Sequence, residues 1–190
     1  MKRMKMRVLI TVGSPRKKGN SAALAQRVAA GVIAAGGECE TNYLYDMDIR
    51  PCTACDSCRE QTDRYCVIED DMKILYPKVR DADAVVIASP VYWFSVSAAT
   101  KLFLDRWYAF GGPEGYVLSG KRMALVMSYA DTDPFTSGAV NALRMFQDAC
   151  RFLDTRVVGT LYGRADAAGD IEKNDVLMQE AFMLGKKLVQ

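Results

Sequence analysis

Apolar residues along this chain switch between short continuous runs and stretches with helical spacing. The run Arg-Val-Leu-Ile-Thr-Val at 7–12 is rich in β-branched residues and stops at Gly13, and Leu24, Val28 and Val32 then recur every four residues in a segment that starts at Asn20. The pattern predicts strand, loop and helix, with Asn20 as N-cap and Gly36-Gly37 as the stop. A second strand is expected at 40–44 and a helix at 70–81, where Asp70 and Asp71 suit the positive end of a helix dipole. Ala-Val-Val-Ile-Ala at 84–88 reads as a strand buried on both faces, followed by a loop at 89–97 and a helix at 98–109. A fourth strand at 122–127 leads through a polar loop at 128–138 into a helix with Leu143, Phe146, Cys150 and Leu153 on one face. A fifth strand at 156–162 precedes a last helix striped by Leu177, Ala181, Leu184 and Leu188.

Strands alternating with helices imply a parallel sheet with right-handed crossovers and helices on both faces. In 190 residues this suits an α/β fold with a doubly wound five-stranded parallel sheet, flavodoxin-like, in strand order 2-1-3-4-5. Such a sheet binds its ligand at the carboxyl ends of strands 1 and 3, so the loops 13–21, 89–97 and 128–138 are expected to meet on one edge. Residues 1–190 are read as a single domain, with a cysteine-rich loop at 50–68 appended after the second strand.

Half the residues are hydrophobic and a quarter charged, the composition of an ordinary globular protein. A net charge of +2 is too small for a nucleic-acid footprint, and no run approaches the length of a membrane span. The basic residues Lys2, Arg3, Lys5 and Arg7 read as a solubility feature, and a cytoplasmic location is expected. The chain has no histidine, which excludes a Ser-His-Asp triad or a histidine base but leaves electron transfer open.

Cysteine usage changes the picture more. Of six cysteines, four fall as Cys52, Cys55, Cys58 and Cys66 in one loop, spaced C-x2-C-x2-C-x7-C. At this cysteine frequency two successive x2 spacings arise by chance about once in a thousand trials. In a reducing compartment such a group binds metal or does redox chemistry. One compact loop suits a [4Fe-4S] cube better than the separated knuckles of structural zinc, with unligated redox thiols as the third reading. Cys39 and Cys150 fall at a strand start and on an apolar helix face and read as packing residues.

The loop 13–21 joins the first strand to the first helix, where free N–H groups and the helix dipole bind a phosphate. Ser14, Asn20 and Ser21 add neutral donors, and Arg16 or Lys18 can supply charge. Neither G-x-G-x-x-G nor G-x-x-x-x-G-K-[ST] is present, so a mononucleotide such as FMN fits better than a dinucleotide or nucleoside triphosphate. Tyr92, Trp93 and Phe94 stand in succession in the second loop; at least one is expected to be exposed unless a planar ligand or a partner subunit covers it. Tyr129 and Asp131 open the third loop on the same edge. Lys101 and Arg106 are read as ion-paired or structural.

Three motifs together, Gly-Ser-Pro-Arg-x-x-Gly-Asn-Ser at 13–21, Ser-Pro-Val-Tyr-Trp at 89–93 and Lys101-x-Phe-x-Asp-Arg106, resemble the NADPH-dependent FMN reductase superfamily. The cysteine loop and the Val67-Ile-x-Asp-Asp-Met72 after it are similar to the iron-sulfur flavoprotein branch. The resemblance covers roughly residues 7–160. It implies that Ser14, Arg16, Asn20 and Ser21 wrap the FMN phosphate. It also implies that Pro90, Val91, Tyr92, Trp93 and Phe94 run along the isoalloxazine edge, with backbone amides near N5 and the N3/O4 side.

The expected function is an FMN-dependent oxidoreductase or electron-transfer flavoprotein passing electrons between FMN and a [4Fe-4S] cluster. A cluster-free NAD(P)H-dependent FMN or quinone reductase is the alternative, and a flavodoxin-like carrier with no small-molecule substrate is a second. The resemblance further implies a homodimer or higher homo-oligomer. NAD(P)H would be a transient donor stacked on the flavin, or a ferredoxin would be the redox partner.

Overall fold

The computed structural model describes residues 5–60, 65–113 and 115–190. Lys2 and Arg3 of the basic N-terminus and residues 61–64 of the cysteine loop lie outside them. In chain order the elements are β1 (Arg7–Val12), α1 (Asn20–Ala34), β2 (Glu38–Tyr43), α2 (Ser57–Glu60), α3 (Met72–Asp81), β3 (Ala84–Tyr92) and β4 (Ser95–Val96). They continue with α4 (Ala98–Asp105), β5 (Gly111–Gly112), β6 (Gly115–Tyr116), β7 (Arg122–Tyr129), α5 (Ala139–Phe152), β8 (Arg156–Arg164) and α6 (Asp175–Lys187). The long strands form a parallel sheet in the order β2-β1-β3-β7-β8, which is the expected 2-1-3-4-5 order.

Each inner strand sends alternate residues to opposite faces. Leu9, Val85, Ile87 and Leu125 pack with Leu75, Phe103 and Phe146 of α3, α4 and α5. Val8, Ile10, Val86 and Val126 pack with Leu24, Val28, Ala181 and Leu184 of α1 and α6. A slip of one residue would exchange these sets, so the register is held by both cores at once. The helices α1 and α6 touch backbone to backbone. A Cβ added at Gly31 would stand 2.0 Å from the Phe182 carbonyl oxygen, and one at Gly185 would stand 2.0 Å from that of Val28.

Several boundaries differ from the expectation, each for a local reason. The N-cap of α1 is Gly19, and Asn20 is the first helical residue because its side chain is engaged elsewhere. The second strand begins two residues earlier, at Glu38, and ends at Tyr43, where Leu44–Asp46 turns as a 3-10 helix. The expected loop at 89–97 is ordered: β3 continues to Tyr92, turns at Trp93-Phe94 and pairs back antiparallel with β4. The expected helix at 98–109 tightens after Asp105 into a 3-10 segment, Arg106–Phe110, which buries Arg106, Trp107, Ala109 and Phe110. The last strand runs on to Arg164, and a one-turn helix, α2, stands in the cysteine loop. No described helix is long and apolar enough to cross a membrane.

Candidate functional site

The chain leaves β1 through Gly13, whose N–H donates to the Ala88 carbonyl at 2.8 Å and whose carbonyl accepts from the Ser97 hydroxyl at 2.5 Å. A side chain could not be added there, since a Cβ would meet Thr100 Oγ1 at 1.8 Å. Beyond it the loop closes on itself: Arg16 N–H donates to Ser14 Oγ at 3.2 Å, and Gly19 N–H donates to the Arg16 carbonyl at 2.9 Å. Gly19 offers no side-chain cap. The N–H groups of Asn20, Ser21 and Ala22 therefore have no acceptor among the described residues and point along the α1 dipole. Such a cradle accepts an anion without a dedicated cluster of charges.

Two side chains of this turn are committed to other loops. The Ser21 and Ser128 hydroxyls share a buried hydrogen bond of 2.8 Å, tying the first loop to the end of β7. Asn20 clasps the segment after β8: its Nδ2 donates to the Ala167 carbonyl at 2.9 Å, and its Oδ1 accepts from Gly169 and Ile171 N–H at 3.1 and 3.2 Å. Asn20 can thus give the ligand its backbone N–H while its amide builds the floor.

The β3–β4 hairpin is an unusual one. Trp93 and Phe94, at its tip, have φ of 48° and 66°, the left-handed pair of a type I′ turn that favours Asn-Gly. Each non-glycine residue held there costs about 1–2 kcal/mol. Ser89 Oγ accepts from Ser97 N–H at the hairpin's base, and Asn141 Nδ2 donates to the Phe94 carbonyl at 3.2 Å. Gly138 (φ 76°) packs under the tip, where a Cβ would lie 2.5 Å from Phe94 Cα. Trp93 is 92% exposed, and Phe94 (52%) and Phe135 (78%) extend the apolar rim.

Between these parts lies a cleft of about 240 Å³ lined by four chain segments: 14–21, 90–92, 128–130 and 165–168. The first three are the loops expected to meet. Of the residues singled out from sequence, Ser14, Arg16, Asn20, Ser21, Pro90, Val91, Tyr92 and Tyr129 line it, whereas Lys18, Trp93, Phe94 and Asp131 stand outside its lining. Burial pushes the Tyr129 phenol up, with Tyr162 and Asp133 adding to the effect, so it is a neutral hydroxyl at pH 7. Ser128 was placed at this edge only as the first residue of the third loop, and the 165–168 segment escaped the sequence reading. The segment follows the fifth strand, so the same topological rule that brought the other loops together applies to it. One end of the cleft is a cradle of free N–H groups with Arg16 beside it, and the other is a wall of Pro90, Val91 and Tyr92. That division fits a phosphate at one end and a planar ring at the other, as FMN requires.

The cysteine loop is closed at its neck by a buried ion pair. Arg106 and Asp70 have side chains 1% and 0% exposed, and their groups also hold Arg50: Asp70 Oδ2 accepts from Arg50 N–H at 3.0 Å, and Arg106 Nη1 donates to the Arg50 carbonyl at 2.8 Å. Asp48 and Asp71 pair across the same neck, backbone to backbone at 2.9 Å and through the Asp71 carboxylate at 2.8 Å. Ala54 and Asp56, both left-handed (φ 52° and 57°), wind the chain between the cysteines, and Ala54 N–H donates to Cys52 Sγ at 3.4 Å. All six cysteines are free thiols. Burial pushes the Cys58 thiol up, with Cys66 and Cys52 adding to the effect and the Arg59 cation opposing it. The donor set and its spacing fit a four-thiolate site. Among the described residues, however, no three cysteine or acidic side chains are drawn together into a metal-holding group. Lys101 and Arg106 are ion-paired as expected, with Asp105 and Asp70.

Comparison with known proteins agrees with this geometry. An iron-sulfur flavoprotein of Methanocaldococcus jannaschii is 29% identical over 193 aligned positions, covering 97% of this chain and 96% of that one. A Bacillus subtilis protein named as an NAD(P)H-dependent FMN-containing oxidoreductase is 24% identical, over 96% and 98% of the two chains. Among solved structures, an NAD(P)H:quinone oxidoreductase from Methanothermobacter marburgensis shares the fold with a TM-score of 0.74 at 20% identity, covering 97% of this chain and all of that one. Residues 6–168 match the NADPH-dependent FMN reductase family, so the chain belongs to that family and is a flavin-dependent oxidoreductase.

Proposed function

We propose that this FMN-dependent oxidoreductase passes electrons between FMN in the 14–168 cleft and a [4Fe-4S] cluster held by Cys52, Cys55, Cys58 and Cys66. The observation that carries the reading is the coexistence of two features in one fold: a phosphate cradle with a planar wall, and a loop that carries four cysteines and whose neck is locked by Arg106 and Asp70. The iron-sulfur flavoprotein relative, matched over nearly the full length of both chains, supports it.

When bound, FMN supplies two-electron and one-electron chemistry and a cluster supplies one-electron transfer. The chain's own residues do the rest. The N–H groups of Asn20, Ser21 and Ala22 and the Arg16 side chain would hold the phosphate, and the neutral Tyr129 hydroxyl could donate without adding charge. The Pro90–Tyr92 wall would shield one side of the ring from water, and the Trp93-Phe94 tip would stand at the rim to receive a planar donor or acceptor. NAD(P)H or a ferredoxin supplies the electrons. The free thiols suit the reducing cytoplasm. A homodimer, as the family resemblance implies, would show as a dimer in sedimentation at micromolar concentration, and a monomer there would refute it.

Anaerobic purification followed by iron, sulfide, zinc and flavin analysis of one sample tests the central claim. The expected result is one FMN and about four iron and four sulfide per chain; FMN with neither iron nor sulfide would overturn it. The dispersed thiols among the described residues favour a second reading, a cluster-free NAD(P)H-dependent FMN or quinone reductase. Steady NADPH turnover with a quinone by iron-free protein supports that one.

A further inference from the structure

Arg59 sits on α2 beside Cys58, yet its side chain leaves the cysteine loop and lands on the 108–116 segment. The guanidinium carbon lies 4.0 Å from the Tyr108 ring centroid and 5.5 Å from that of Tyr116, and Nη2 donates to the Tyr116 hydroxyl at 3.0 Å. Below it is Gly111. A Cβ added there would stand 2.0 Å from Arg59 Nη1 and 2.7 Å from its Cζ. Gly111 has φ −81° and ψ 141°, a conformation open to any residue, so its backbone gives no reason for a glycine. What a side chain at 111 would occupy is filled by the guanidinium. A second anchor lies at the far side of the loop, where Tyr65 stacks on Tyr76 at 4.9 Å and meets Phe110 edge-on at 5.4 Å.

We propose that Arg59 is a positioning residue: it docks the cysteine loop into a seat made of Tyr108, Gly111 and Tyr116, and so holds Cys58 against the body of the protein before any metal arrives. Its consequence for metal rests on the cluster reading above, whereas the docking does not. Preordering a ligand loop raises affinity because less freedom is lost on binding. An exposed cation on a ring face contributes enough to change an opening equilibrium by about two- to fivefold.

Metal-free full-length protein would be treated with a thiol reagent and the labelling of each cysteine followed by mass spectrometry, with exposed Cys52 as internal reference. Gly111→Ala should speed Cys58 labelling about two- to fivefold relative to Cys52, because the new methyl expels only the end of a flexible side chain and leaves its charge in the protein. Arg59→Ala should speed it by less, because it also removes the cation that favours the Cys58 thiolate. The double variant should label no faster than either single one. FMN content should be unchanged in all three. Wild-type labelling of Cys58 in Gly111→Ala, an additive double variant, or loss of FMN alongside faster labelling would overturn the proposal. In a separate arm, iron bound after reconstitution should fall in both single variants. If wild-type protein also takes up no iron, the cluster reading fails while the labelling still decides the docking.

Discussion

Asp70→Asn tests the neck of the cysteine loop most directly. The substitution keeps the side chain's shape and removes its charge, leaving the Arg106 guanidinium buried with no counter-ion and with its Nε already lacking a partner. The new amide also turns its NH2 toward one of two backbone donors, the N–H of Arg50 or that of Met72, which now donate to Oδ2 and Oδ1 of the carboxylate at 3.0 Å each. Breaking a buried pair from one side costs about 3–5 kcal/mol, a large share of a domain's typical 5–15. Urea unfolding at pH 7 should show it as a midpoint lowered by roughly 1.5–2.5 M. The pH dependence adds a sign. Burial raises the Asp70 carboxyl pKa, but Arg106 and the N–H groups of Arg50 and Met72 outweigh it and hold the group below the usual carboxylate range. Its contribution is therefore complete above the unfolded value, about 3.9, and is lost as pH falls through the lower folded value. The gap between wild type and variant should stay constant from pH 7 to 5 and shrink below about pH 4. A gap under about 1 kcal/mol at pH 7, or one that persists unchanged down to pH 3, would refute the reasoning.

Other outcomes follow from the cleft. Replacing Trp93-Phe94 by Asn-Gly relieves the left-handed strain and should raise stability by about 1–2 kcal/mol in thermal or urea unfolding, while slowing turnover with planar acceptors. Gly138→Ala should act in the opposite sense, since its Cβ strikes the Phe94 backbone at a residue with φ 76°; a destabilisation of about 1–3 kcal/mol and weaker FMN binding by fluorescence titration are expected. Arg16→Ala should weaken FMN about tenfold with little effect on riboflavin, which lacks the phosphate, as measured by the same titration.

The order of the sheet was legible because the strands 7–12, 84–88 and 122–127 are continuous apolar runs, which only a sheet covered on both faces can bury. The unpaired N–H groups at the start of α1 were legible because any strand-to-helix turn leaves them. What stayed hidden depended on partners far away in the chain. Asn20 has the composition of a cap, and only the folded chain reveals that residues 167–171 claim its amide first. The order within 89–97 was hidden because Trp and Phe in left-handed conformations run against local preference; Asn141 and Gly138 hold them there. Arg106 was recognisable as structural, but its partner Asp70 was read as a helix-start residue, and the pairing crosses 36 positions of sequence.

The clasp between Asn20 and the segment after β8 spans 147 residues. A chain made from its N-terminus presents the phosphate turn early and the strap that completes it late. At about 5–20 residues per second, the interval is roughly 7–30 s. During it the α1 face that will meet α6 has no cover, and Ser21 waits for Ser128. Flavin capture is thus a late event in the life of each molecule, and ribosome-bound fragments ending before residue 167 should hold FMN poorly even when β1 and α1 are already outside the exit tunnel.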